Sequence, residues 1–392
     1  MVGHTKNAQK KRTRPRLRLP AVVSDSVPGL TPLPGRLLPP AGGSRGNAGQ
    51  KNQAGSSKRS SDKQFVQFQN LNKSLLRTAL DNAVTIPVDI RKLAEVAAAG
   101  SLTNEDVDSL LEDELSHLPV QPTFYNDQKP RSFFDVNGVL IAFHFPGYLS
   151  EKASRQHEEY LDDYANAFPP KLSADKQGRG AKEGYRTEAG IKTGCTHISP
   201  GWHEIGHPKD HPLPSGSYAG TKKHAAATLV LLAKLKAFQR RIDHLVKIAT
   251  PDPYRAFTEA MNHLRASKEN ALHAANWYAP FQGISIIYNR ETPSHRDDKG
   301  CISGVDALLS VGRYTDCRLD LDVLRTCLSY DTGTLILLLG YIIPHKVSSW
   351  SAGGERKCLV HFTHQHLLDT FGVEKPHFTT LQELRSLAAY DN

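Results

Sequence analysis

Three side chains in the last third of the sequence have the types and spacing of a metal site: His295 and Asp297 in TPSHRDDKG, and His345 in GYIIPHKVS. In an extended segment, residues i and i+2 project to the same side, so His295 and Asp297 can take neighbouring positions on one cation. A histidine from a distant strand completes a two-histidine, one-carboxylate face with three coordination positions left open, an arrangement suited to Fe(II). Among 18 histidines an HxD pair is a weak signal by itself. The discriminating residue is Arg356, eleven positions after His345 at the head of the last apolar segment. A guanidinium inside a barrel is costly unless a carboxylate pairs with it, and the distal carboxylate of 2-oxoglutarate can supply a bidentate partner.

Positioning these groups requires a β-rich frame. From Trp277 onward, short apolar segments recur at 283–289, 306–312, 317–321, 334–340, 342–348 and 356–362, a spacing that predicts a sandwich or barrel. The preceding half reads as mainly helical. Helices are expected at 63–81, at 87–99 with Pro87 in the first turn, and at 104–117, where Thr103 and Asp106 resemble a capping box. Two more are expected at 222–249 and 253–270, divided by Pro251 and Pro253. Leu229, Leu232, Leu235, Phe238, Ile242 and Leu245 mark the packed face of the first of these. Residues 132–145 read as a hairpin turning at Asn137-Gly138, and 170–222 as a loop.

Charge is distributed unevenly. Residues 1–60 hold twelve Lys/Arg, the single acid Asp25, seven Pro and no aromatic residue, a net +11 of the overall +9, so residues 61–392 carry 37 bases against 39 acids. Such a segment has too little apolar surface to offset the entropy of ordering, and is expected to be a disordered basic tail. Its cluster Lys10, Lys11, Arg12, Arg14, Arg16 and Arg18 suits a nuclear address or a phosphate-binding arm. The longest apolar run, Thr334–Ile343, is about half the roughly 20 residues of a membrane-spanning helix, so no membrane partner is expected. No secretory signal is expected either, and five scattered cysteines without a CxxC pair fit free thiols inside the cell.

The order HRD, Gly340 to His345, then Arg356 on a final strand resembles the Fe(II)/2-oxoglutarate dioxygenases of double-stranded β-helix fold. The stretch NWYAPFQGISIIYNRETPSHRD is similar to the fungal branch of the TET/JBP group, which oxidises methylated bases in nucleic acids. The resemblance implies an α+β chain: a jelly-roll or cupin-like core at 271–392, buttressed by a supporting region at 61–270 with which it forms one catalytic domain, and a tail at 1–60. It implies His295, Asp297 and His345 as iron ligands, Arg356 as the 2-oxoglutarate anchor, and O2 as co-oxidant. Tyr288 and Asn289 could touch the cosubstrate or only pack. On an alternating strand Cys358, Val360, Phe362 and His364 share the side of Arg356, which makes Phe362 and His364 candidates for stacking on and hydrogen-bonding to a base. TET enzymes carry an Asn shortly after HRD that helps to read cytosine, and Gly300 stands there in this chain. Asp331, in the turn YDTGT, is either an acceptor for an exocyclic amine or a turn-former beside Gly333.

Two other clusters remain. Cys195, His197, His203, His207 and His211 could bind zinc, but they lack paired cysteines and their Pro and Gly imply a loop, so a DNA-facing loop or plain surface is the preferred reading. Lys171, Lys176, Arg179, Lys182, Arg186 and Lys192 form a basic stretch able to meet DNA phosphate, with Lys176, Arg179, Lys182 and Arg186 at its centre. The expectation is a monomeric nuclear dioxygenase acting on methylated DNA, 5-methylcytosine first. Its rivals are an N6-methyladenine demethylase of the same fold, a prolyl-type protein hydroxylase, and a non-catalytic DNA-binding module.

Overall fold

The computed structural model of the chain describes residues 51–98, 109, 121–172, 184–188, 190–204 and 210–390. Residues 1–55 and 56–392 are two units; the first is described only where a helix opens, and the features below belong to the second. Disorder of the tail before residue 51 and the helix expected at 104–117 lie outside the described residues.

Helix α1 (Lys51–Asp81), strand β1 (Ala83–Thr85) and helix α2 (Ile90–Ala98) come first. Strands β2 (Thr123–Tyr125), β3 (Arg131–Phe134) and β4 (Leu140–Phe145) lead to α3 (Glu151–Ala167) and β5 (Gly194–Ile198). Four helices follow: α4 (Gly216–Ala219), α5 (Lys222–Ala249), α6 (Pro251–Ala266) and α7 (Ala271–Ala274). The C-terminal half holds β6 (Gly283–Tyr288), β7 (Thr292–His295), β8 (Asp306–Arg313), β9 (Arg318–Leu321), β10 (Thr326–Ser329), β11 (Leu335–Leu338), β12 (His345–Val347) and β13 (Glu355–Phe362). Helices α8 (Gln365–Phe371) and α9 (Leu381–Tyr390) close the chain.

Helix limits follow local chemistry. α1 starts well before the expected 63, since no proline interrupts residues 41–86. α2 begins at Ile90 instead of 87, because the Asp89 carboxylate accepts the N–H groups of Arg91 and Lys92 at 3.0 and 3.3 Å and so caps it. Thr221 caps α5 by accepting the His224 N–H at 3.1 Å. Pro251 opens α6, where a missing N–H costs nothing, and this helix stops at Ala266, short of the expected 270. The buried face of α5 contains Leu231, Leu232, Leu235, Phe238, Ile242 and Leu245, whereas Leu229 is exposed, contrary to the sequence reading.

Two sheets form the core of this α+β fold, in the order β1-β3-β4-β11-β8-β13-β6-β5 and β2-β10-β9-β12-β7. The expected hairpin is present as β3–β4, with Gly138 at a φ of 73° in its turn. The sequence reading missed β1, β2, β5, β7 and β10. Of these, β5 lies inside the expected 170–222 loop and pairs antiparallel with β6. It is a polar edge strand, GCTHI, with no apolar alternation to reveal it. On β13, alternate residues take opposite faces. Lys357 and His361 face the helices, reaching Glu158 of α3 and Phe238 of α5, while Arg356 and Cys358 turn toward Tyr330, just beyond β10 of the second sheet.

Candidate active site

β7 ends on His295 and β12 begins on His345, and these two residues are partners in the β7–β12 register. Their ring centroids are 4.3 Å apart. Asp297 follows β7, its N–H donating to the Gly340 carbonyl at 2.8 Å, and its Oδ2 stands 3.8 Å from His345 Nε2. One ligand atom from each of the three residues lies within 4.8 Å of the others, the one such cluster of three among the described residues.

Both imidazoles are oriented in the same way. His295 Nδ1 is 2.9 Å from the Pro293 carbonyl and His345 Nδ1 is 3.0 Å from the Ile343 carbonyl. A carbonyl only accepts, so each Nδ1 carries the proton, and the lone pair of the neutral ring is on Nε2, the atom that could ligate a cation. Room for Asp297 depends on Gly340. A Cβ there would lie 3.0 Å from Asp297 Oδ2 and 2.7 Å from Asp306 Oδ2.

Arg356 is 2% exposed. Its Nη1 reaches the Arg290 carbonyl only at 3.5 Å, while Nε and Nη2 have no hydrogen-bond partner among the described residues. Its guanidinium lies 4.7 Å from the Tyr330 ring centroid and 5.8 Å from that of Trp350. A buried, permanently charged donor fork with two of its three nitrogens lacking an acceptor is costly and a suitable receptor for a carboxylate. The arginine therefore fits the distal carboxylate of 2-oxoglutarate, as the His-Asp-His cluster fits a divalent iron.

Residues 217–365 match the Tet_JBP family, the oxygenase domain of the 2OGFeDO superfamily. All four residues just described fall inside the match, and the superfamily uses Fe(II), 2-oxoglutarate and O2. Among solved structures, NgTET1 in complex with 5mC DNA aligns over 82% of this chain and 98% of its own, at 14% identity and a TM-score of 0.43. A 2OG-Fe(II) oxygenase family oxidoreductase from Burkholderia pseudomallei aligns over 67% and 92%, at 8% identity and 0.30. OsALKBH1 aligns over 57% and 96%, at 12% identity and 0.28. No curated protein matches the chain.

Other expected site residues are placed differently. Tyr288 is fully buried and donates its hydroxyl to the Leu161 carbonyl of α3 at 2.9 Å, so it faces the helices and not the cosubstrate side of the sheet. Asn289 bonds to the backbone of Arg356. Asp331 sits in the β10–β11 turn, at the end of β11 away from Gly340 and Asp297, and accepts the backbone N–H of Asp316; burial and then the Asp316 charge raise its carboxyl above the usual range. Lys176, Arg179 and Lys182 lie outside the described residues. Arg186 is committed inside the protein. It pairs with Glu291 at 3.3 Å, donates to the Trp350 carbonyl at 2.7 Å and lies 3.9 Å over the Trp350 ring, which leaves little of it for DNA phosphate.

Phe362 and His364 do come together, with ring centroids 4.9 Å apart, and the sequence reading missed their neighbour Trp202. Its ring meets Phe362 edge-on at 6.1 Å, lies 5.3 Å from His364, and stacks on His197 at 5.9 Å. His364 also bridges to Gly300, three residues past Asp297, which ties this aromatic group to the metal cluster. A tryptophan set among histidines in a polar loop was the available signal. The five residues considered for zinc do not gather at one point: His203 sits against His366 and Thr370, His211 bonds to Ser267 and Asn270, Cys195 Sγ and His197 Nε2 are 3.6 Å apart on β5, and His207 is outside the described residues. Burial, then His366 and His211, press His203 down to about 4.

Proposed function

We propose that this Tet_JBP oxygenase oxidises methylated bases in DNA, 5-methylcytosine first. The observation that carries the cosubstrate half of the reading is Arg356, buried with two guanidinium nitrogens unpartnered, on the same frame as the His295, Asp297 and His345 cluster. When bound, Fe(II) and 2-oxoglutarate supply the activation of dioxygen toward an unreactive C–H bond. The protein's own part is positional. Arg356 holds the distal carboxylate through its free donors. His295 and His345 present Nε2 because their Nδ1 protons are engaged by backbone carbonyls. Trp350 and Tyr330 wall off the anchor and exclude water from it.

The base half is supported by the family match and by the aromatic group of Trp202, Phe362 and His364 beside Gly300. A base in duplex DNA must be flipped out at a cost of a few kcal/mol, and π-faces that stack on it offset that cost. The net +11 of residues 1–60 supports attraction to phosphate, and its basic cluster supports a nuclear location. A second reading, N6-methyladenine demethylation, is favoured by Gly300, which takes the place of the cytosine-reading Asn. In the test, purified protein is incubated with Fe(II), ascorbate, 2-oxoglutarate and duplexes carrying either base, then the DNA is digested to nucleosides for mass spectrometry. Hydroxymethylcytosine and further oxidised cytosines are expected. Loss of N6-methyladenine alone selects the second reading, and 2-oxoglutarate consumption without any altered base rejects both.

A further inference from the structure

We infer that Asn289 is a positioning residue that fixes the backbone of Arg356, so that its guanidinium meets the distal carboxylate of 2-oxoglutarate. The inference rests on the cosubstrate reading above. Asn289 does not approach the ligand itself; it acts through the arginine.

The regular β6–β13 ladder ends at Tyr288 opposite Lys357, one residue short of Arg356. At that point the backbone of Asn289 turns to a φ of 54°, a left-handed conformation that costs most residues and that asparagine tolerates best among those with a side chain. The turn swings its carbonyl away from β13, where it accepts the Arg186 N–H at 2.9 Å. The place of that carbonyl is taken by the side chain. Asn289 Oδ1 accepts the Arg356 N–H at 2.7 Å, and the Asn289 N–H donates to the Arg356 carbonyl, also at 2.7 Å. One residue thereby satisfies both backbone polar groups of the anchor. Its Nδ2 donates to the Lys192 carbonyl at 2.9 Å, which ties the grip to the segment leading into β5.

Both residues are buried, so without Oδ1 the Arg356 N–H would lack an acceptor and the anchor's backbone would be free to shift. His295 and His345 lie on β7 and β12 and Asp297 just after β7, whereas the grip joins Asn289 to β13 and to the segment leading into β5. Loss of Asn289 should therefore be felt only by ligands that use the arginine.

The test compares 2-oxoglutarate with pyruvate, a 2-keto acid that has the chelating end but no distal carboxylate. Both are titrated calorimetrically into Mn(II)-loaded protein without oxygen, for the parent and for Asn289→Gly, which tolerates the positive φ and deletes both side-chain bonds. The variant should bind 2-oxoglutarate about tenfold more weakly, the loss of roughly one buried hydrogen bond, with pyruvate and Mn(II) affinities unchanged. Adding Asn289→Gly to Arg356→Leu should weaken 2-oxoglutarate no further. Equal losses for the two acids would make Asn289 a general structural residue, and no loss would remove its role; either overturns the inference. A parent protein that does not prefer 2-oxoglutarate to pyruvate overturns the cosubstrate reading, and this inference with it.

Discussion

Arg356 and Lys357 are consecutive on β13 and both are buried, yet their charges meet different surroundings. Lys357 Nζ lies 3.0 Å from Glu158 and 3.0 Å from Asp162 of α3. Arg356, on the opposite face, has no carboxylate partner among the described residues. The lysine is neutralised by the protein and belongs to the scaffold. On the proposed reading, the arginine is the group that receives the carboxylate of 2-oxoglutarate.

Arg356→Leu removes an unpaired buried cation, so the ligand-free protein should keep or raise its Tm. Affinity for 2-oxoglutarate should fall by roughly 100-fold, the worth of a charge-assisted bidentate pair. Thermal melts and calorimetry check the two halves separately, and a Tm lowered by several degrees would contradict the unpaired-cation account.

Lys357→Met should do the reverse. It leaves Glu158 and Asp162 without their shared cation, a loss of about 3–5 kcal/mol for a buried pair. The low end of that range is expected, because Arg313 still reaches Glu158 at 3.2 Å and Lys192 still reaches Asp162 at 3.2 Å. Urea unfolding measures it, and 2-oxoglutarate affinity of the folded variant should be unchanged.

Gly340→Ala would place a methyl group 3.0 Å from the Asp297 carboxylate and 2.7 Å from that of Asp306, so one or both must move. Metal affinity should drop by about 10- to 100-fold, as when a ligand's supporting shell is disturbed. Titration with Mn(II) reads this directly, and unchanged affinity would mean that the Asp297 carboxylate has slack.

Burial holds His361 down to about 3 and His144 down to about 4, below the ordinary 6.5. Both stay neutral in the fold while the unfolded chain takes up protons, so the stability present above about pH 6.5 is lost as pH falls toward 4. Asp243, raised to about 6 by burial, acts in the opposite sense below pH 6 and offsets part of the loss. Tm should decline between pH 7 and 4.5. His361→Phe, at a position flanked by Phe238 and Phe281, should flatten that decline; an unaltered slope would assign it to other groups.

The candidate metal cluster could be read from the sequence because its first two members are two residues apart, and the geometry of an extended chain needs no knowledge of the rest of the fold. The third member, His345, was legible only as a type, and pairing with His295 across β7 and β12 is a long-range event. Periodicity likewise exposed the buried face of α5 and the alternation on β13, since repeated burial leaves a repeat in the sequence. Edge strands such as β5 leave none, as one side of the strand meets solvent and the other needs few apolar groups.

By itself, then, the sequence determined which groups could do chemistry: two histidines, a carboxylate and an arginine, on segments able to present them. Only the tertiary structure decided what each group meets. Arg186 has the charge for phosphate and instead covers Trp350; Tyr288 precedes the metal motif and bonds to α3; Asn289, next along the chain, grips the backbone of Arg356; Trp202 joins Phe362 and His364 from more than 150 residues away. The reason is physical. A side chain's type and its side of a strand are local properties, whereas its partner is set by packing between segments far apart in sequence, which no local pattern encodes.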